Sequence, residues 1–93
     1  VKVEREYIVT RQVFVTVDES KFTPEFMEEY RAYFFPWQTI DDHREHLAEL
    51  YGRGVIDGSP SEFIEGYGPA SDMGITFRHG FTETELQAEQ GAK

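Results

Sequence analysis

"VEREYIVTRQVFVTV", residues 3–17, decides the fold. Its odd positions read Val3, Arg5, Tyr7, Val9, Arg11, Val13, Val15 and Val17, a mostly apolar set at period two, which is the signature of a strand with one buried face. The parity never slips, and Thr10–Gln12 contains no Gly, Asn, Asp or Pro to build a tight hairpin, so one continuous or gently bent strand competes with two short ones. Fully extended, the segment would span roughly 50 Å at about 3.3 Å per residue. A compact chain of this length has a radius of gyration of about 12 Å. Either a bulge near Thr10–Gln12 bends the strand, or its first residues project and pair with another chain.

Downstream, the period changes from two to that of a helix. Thr23 is placed to cap a helix whose first residue, Pro24, has no N–H to leave unsatisfied. Phe26, Tyr30, Tyr33 and Phe34, with Met27 beside them, form its expected buried stripe, and Pro36 ends it. A second helix opens at Thr39 with Asp42 as a capping-box partner and Asp41 in the first turn. Its stripe is Ile40, His43, Leu47, Leu50 and Tyr51, and Gly52 or Gly54 stops it.

A turn-rich connection and a Gly/Pro-rich stretch follow, with room for a short strand near 62–66. A clean alternation of Met73, Ile75, Phe77, His79 and Phe81 then predicts a closing strand. The expected fold is α+β: a small antiparallel sheet of two to four strands with two helices packed on one face, in the order β(β)αα(β)β. Residues 1–81 make a single domain, and 82–93 a polar C-terminal tail in which Thr82 and Glu85 suit one short helix.

The 93 residues supply one core's worth of chain, and eight Phe among 15% aromatics give that core large apolar side chains. Cysteine is absent, which removes disulfides, thiolate metal sites and thiol nucleophiles. The apolar runs are far too short to span a membrane, and "VKVEREY" lacks the order of a signal peptide, so a cytoplasmic protein is expected. The net charge of -9 is unevenly placed: residues 18–30 and 54–72 hold eight of the nine net negative charges. That balance disfavours direct binding to nucleic acid and favours encounter with a basic protein surface.

The constellations that carry chemistry are weak. In "DDHREHLAELYGRG", residues 41–54, His43 and His46 are helix neighbours beside Asp42, but a metal site needs three or four converging ligands and the only other histidine, His79, is on a distant strand. Gly66 and Gly68 repeat two positions of a dinucleotide loop, yet no lysine follows, and Glu65 and Asp72 flank it with the wrong sign for phosphate. No serine lies in a nucleophile elbow. No catalytic residue, metal or cofactor is therefore assigned, and the chain reads as a non-enzyme.

What remains is surface. Glu25, Glu28 and Glu29 share one face of the first helix, and Asp18 and Glu19 lead into it. Glu62, Glu65 and Asp72 form the second acidic segment, and Trp37, beside Pro36 in the helix–helix connection, is either a lid or an interface anchor. In size, acidity and lack of catalytic signature the chain resembles, as a physical class only, the small phage-encoded inhibitors of host defence, the anti-CRISPR and anti-restriction proteins. The leading expectation is a protein-binding inhibitor or adaptor acting in the host cytoplasm. Its nucleic-acid-mimicking surface (Asp18, Glu19, Glu25, Glu28, Glu29, Trp37, Glu62, Glu65, Asp72) would dock on the basic site of a nucleic-acid-binding effector. The alternative is a structural module that forms a homodimer through the N-terminal strand, and the third a metal-dependent enzyme built on Asp42, His43 and His46.

Overall fold

A computed structural model describes residues 1–87. The period-two segment forms β1 (Tyr7–Thr16), which pairs antiparallel with the last strand, β4 (Thr76–Leu86). Between them the chain makes α1 (Pro24–Tyr33), α2 (Ile40–Gly52) and a miniature pair of two-residue strands, β2 (Phe63–Ile64) and β3 (Gly68–Pro69), with 3-10 turns at Glu19–Lys21 and Ala70–Met73. The result is an α+β arrangement of two helices with small antiparallel sheets of two strands each.

A bulge is present at the expected place, and the start of the strand also projects from the body. The β1–β4 register shifts between Arg11 and Val13, where Gly80 and Phe81 together oppose Gln12, so the extra residue sits in β4 rather than in β1. Gly80 lets the Gln12 side chain lie across the bulge, since a Cβ at position 80 would meet Gln12 Oε1 at 2.0 Å and displace that side chain. Beyond the shift the ribbon leaves the body. The radius of gyration is 17.5 Å and the long axis 57 Å against cross-sections of 24 and 20 Å, where a compact chain would reach about 12 Å.

The polar tail expected from residue 82 is, as far as Leu86, part of this ribbon: Thr82–Leu86 pairs with Tyr7–Arg11, and Gln87 donates to the Glu6 carbonyl. A strand wet on both faces has no reason to alternate apolar with polar, which is why "TETEL" carries no strand signal. The rest of the short helix expected there lies outside the described residues.

Each helix starts where its caps place it. Thr23 Oγ1 accepts from the Phe26 N–H at 3.1 Å, with Pro24 at the first position. Thr39 Oγ1 accepts from Asp42 N–H at 3.1 Å while the Asp42 carboxylate accepts from the Thr39 and Gln38 N–H groups, a complete capping box. Those two backbone bonds hold the Asp42 carboxyl below its ordinary range. At the far end of α2, Arg11 from β1 donates to the Gly52 carbonyl at 3.2 Å, a cation on the negative end of the helix dipole.

The core lies between α2, the inner face of the ribbon's base and the β2–β3 segment. Leu47 and Ile75 are fully enclosed, with Val17, Ile56, Ile64, Tyr67 and Met73 around them, and Tyr51 stacks on Phe77 at 4.7 Å. Along α2 the stripe Ile40, His43, Leu47, Leu50 and Tyr51 faces inward as its spacing requires. Along α1 the stripe is shorter than the sequence suggests. Phe26, Met27 and Tyr30 pack inward, but Tyr33 is 77% exposed and Phe34 leaves helical geometry, because the aromatic surface beneath, His43 and Tyr67, meets Phe26 and Tyr30 in the first turns. In the last strand, Met73 belongs instead to the preceding 3-10 turn, and the bulge leaves Phe81 exposed.

Candidate functional site

The acidic residues fall into sets with different environments. Glu25, Glu28 and Glu29 are all exposed on α1, and no basic side chain among the described residues pairs with them. Their mutual repulsion is partly offset by the positive end of α1. Glu19 is bound by Arg44, which also holds Asp41 at 2.5 Å, so this part of the acidic surface is locally compensated. Asp18 caps the 3-10 turn: its carboxylate accepts from Ser20 Oγ at 2.7 Å and Ser20 N–H at 3.0 Å, and those bonds depress its pKa. The Asp18 N–H donates to the Met73 carbonyl, which brings the exposed Asp72 turn alongside Asp18. Gly74 is needed at that crossing, since a Cβ would lie 2.5 Å from Asp18 Cβ at a φ of +64°.

Glu62 does not belong to a free acidic surface. Its carboxylate turns inward and accepts from the Asp57 and Gly58 N–H groups at 3.0 and 3.1 Å, closing the loop after α2. Glu65 is exposed in the β2–β3 turn, at the rim of a cleft of about 420 Å³ floored by Tyr30, Leu50 and Ile64 and walled by Phe34, Phe35 and Phe63. Trp37 is half-buried, stacked on Phe35 at 5.3 Å, with its indole nitrogen out of water beside the Tyr30 hydroxyl. Its ring also meets His46 of α2 at 5.6 Å.

The histidines are packing residues of unequal burial. His43 is fully enclosed, with Nδ1 2.8 Å from the Tyr67 hydroxyl; in either tautomer Nε2 finds no protein partner. Burial first, and then the neighbouring His46, push its pKa down to about 4, so it is neutral at pH 7. Burial likewise raises the Tyr67 hydroxyl well above its ordinary range. His46 is half-buried against Phe35 and Trp37, and burial lowers its pKa. No group of three or more His, Asp or Glu among the described residues is arranged to hold a metal ion. No helix among them is long and apolar enough to cross a membrane.

Charge divides the chain along the same line as shape. Residues 18–72 contain thirteen acids and four bases, whereas the remainder contains five of each, so the whole of the -9 resides on the body and the strands that build the arm are balanced. The arm was the feature sequence reasoning half missed: the parity of Tyr7 and Val9 was legible, their pairing with Leu86 and Thr84 was not.

Compared with known proteins, the chain matches no family model, no curated protein and no solved structure.

Proposed function

We propose that this chain is a non-enzymatic protein-binding protein. Its acidic body docks on a basic protein surface of the kind that binds nucleic acid, so that it acts as an inhibitor or adaptor of a nucleic-acid-handling complex. The observation that carries this reading is the concentration of the -9 charge on residues 18–72, with Glu25, Glu28 and Glu29 left unpaired on a rigid, well-capped helix. Fixed carboxylates of this sort present negative charge to a basic groove without ordering a flexible segment, which lowers the entropic cost of binding. In this reading the exposed carboxylates of Asp18, Asp72 and Glu65 belong to the same docking surface.

The finer reading follows from that chemistry: a cytoplasmic competitor of nucleic acid, of the functional class to which phage anti-CRISPR and anti-restriction proteins belong. The test is capture on the immobilised chain from a lysate of its native host, with Glu25→Gln, Glu28→Gln and Glu29→Gln combined as the control. A nucleic-acid-handling protein held by the wild type alone supports the reading. A partner held equally by the variant refutes the role of the α1 carboxylates.

The uncovered arm favours a second reading compatible with the first, in which the chain pairs with itself through β1 as a structural module. A dimer that is lost on deletion of residues 1–8 is its expected signature.

A further inference from the structure

We infer that the cleft between α1, α2 and the β2–β3 turn is a binding site for a small organic cation, an amine carried on a compact aromatic or branched apolar body. The site is separate from the α1 carboxylates Glu25, Glu28 and Glu29, none of which lines it. Its volume of about 420 Å³ falls within the range of about 300–1,000 Å³ in which proteins hold small molecules. Phe34, Phe35 and Phe63 are 41%, 47% and 70% exposed, so three phenyl rings stand in water around one opening.

Local geometry keeps those rings there. Phe34 leaves helical geometry at the end of α1, with φ -126° and ψ -94°, while its N–H still donates to the Tyr30 carbonyl at 2.8 Å. The Gly66 backbone lies against the same two rings: a Cβ at position 66 would be 2.6 Å from the Tyr30 ring and 3.4 Å from that of Phe34. The β2–β3 turn is thereby seated on the end of α1, and Phe63 and Glu65 join Phe34 and Phe35 around the opening.

Four features make the cleft select positive charge. The faces of its aromatic rings carry partial negative charge and attract a cation within about 6 Å of a ring centroid. Glu62 and Glu65 line it and no Lys or Arg does, and residues 54–72 carry no base at all. The bases nearest in sequence are engaged elsewhere: Arg31 donates to the Trp37 carbonyl, Arg44 binds Glu19 and Asp41, and Arg53 pairs with Glu49. Tyr30 and Phe34 belong to the last turn and the cap of α1, so the negative end of that helix dipole lies beside the cleft. His46 also lines it; its ring makes no hydrogen bond among the described residues, and burial keeps it neutral, with a nitrogen able to accept from an ammonium N–H. An anion is repelled by the carboxylates and the helix end. A neutral molecule gains from the apolar walls alone.

NMR titration of the full chain at pH 7.5 tests this with three probes of similar shape: 2-phenylethylammonium, 2-phenylethanol and 3-phenylpropionate. The expected result is saturable shifts of the Phe34, Phe63 and Glu65 amides with the cation, an affinity about fivefold or more above that of the alcohol, and no saturation with the carboxylate. Glu65→Gln and Phe63→Leu, both at exposed positions and checked for folding by circular dichroism, should each weaken the cation about threefold. Glu25→Gln, which changes the net charge equally but lies outside the cleft, should leave its affinity within about 1.5-fold. Equal affinity for the alcohol and the cation would reduce the cleft to a plain apolar pocket and overturn the inference. Saturable binding of the carboxylate, or cation binding that Glu25→Gln and Glu65→Gln weaken alike, would also overturn it. So would the absence of saturable shifts at the cleft with the cation at up to about 50 mM.

Discussion

His43 makes the stability of this protein depend on pH between about 6.5 and 4, a window it shares with His46, whose pKa burial also lowers. In the folded chain the His43 ring is enclosed beside Tyr30, Phe22 and Tyr67, and its pKa lies at about 4; unfolded, it returns to about 6.5. The unfolded state therefore binds the proton first, and the contribution of neutral His43 is fully present above pH 6.5 and lost as pH falls toward 4. The gap between 6.5 and about 4 corresponds to about 3 kcal/mol in all, of which about 2 kcal/mol is lost by pH 5. The assay is urea unfolding followed by circular dichroism at pH 7.5, 6 and 5, on the wild type and on His43→Gln. Glutamine keeps an acceptor for the Tyr67 hydroxyl but cannot titrate. The difference between the two proteins should shrink by about 2 kcal/mol between pH 7.5 and pH 5, whatever the acidic surface contributes to both. Parallel pH profiles would show that His43 is not buried as a neutral ring.

Other outcomes follow from packing and backbone geometry. Leu47→Ala, at a fully enclosed position, should cost about 2–5 kcal/mol in the same urea assay. Gly66→Ala combines a φ of +91° with a Cβ only 2.6 Å from the Tyr30 ring, so a loss of about 1–3 kcal/mol is expected, with the near-ultraviolet signal of Tyr30 altered. Thr39→Val removes the side-chain half of the α2 capping box and should lower stability by about 1 kcal/mol without changing the denaturant slope.

The elements were legible where one face is buried and the other wet. Val13, Val15 and Val17 announced the strand, Thr23-Pro24 and Thr39/Asp42 announced the helix starts, and the α2 stripe from Ile40 to Tyr51 faces the core as spaced. Legibility failed where that asymmetry is absent. Thr82–Leu86 is strand without a dry face, and Tyr33 continues an apolar period past the point where α1 has anything to cover. The placement of the acids was only partly legible for a different reason. Spacing puts Glu25, Glu28 and Glu29 on one helix face, but Glu62 turns to backbone N–H groups and Glu19 to Arg44, contacts set by the tertiary fold.

The most direct test of the acidic-body account is the salt dependence of affinity for the captured partner, measured with the wild type and the triple Glu-to-Gln variant, and with nucleic acid added as competitor. Wild-type affinity should fall steeply as salt rises, the variant should bind more weakly and with a shallower slope, and nucleic acid should displace the chain. Affinity indifferent to salt and to the three carboxylates, with partner, chain and nucleic acid bound together, would contradict it.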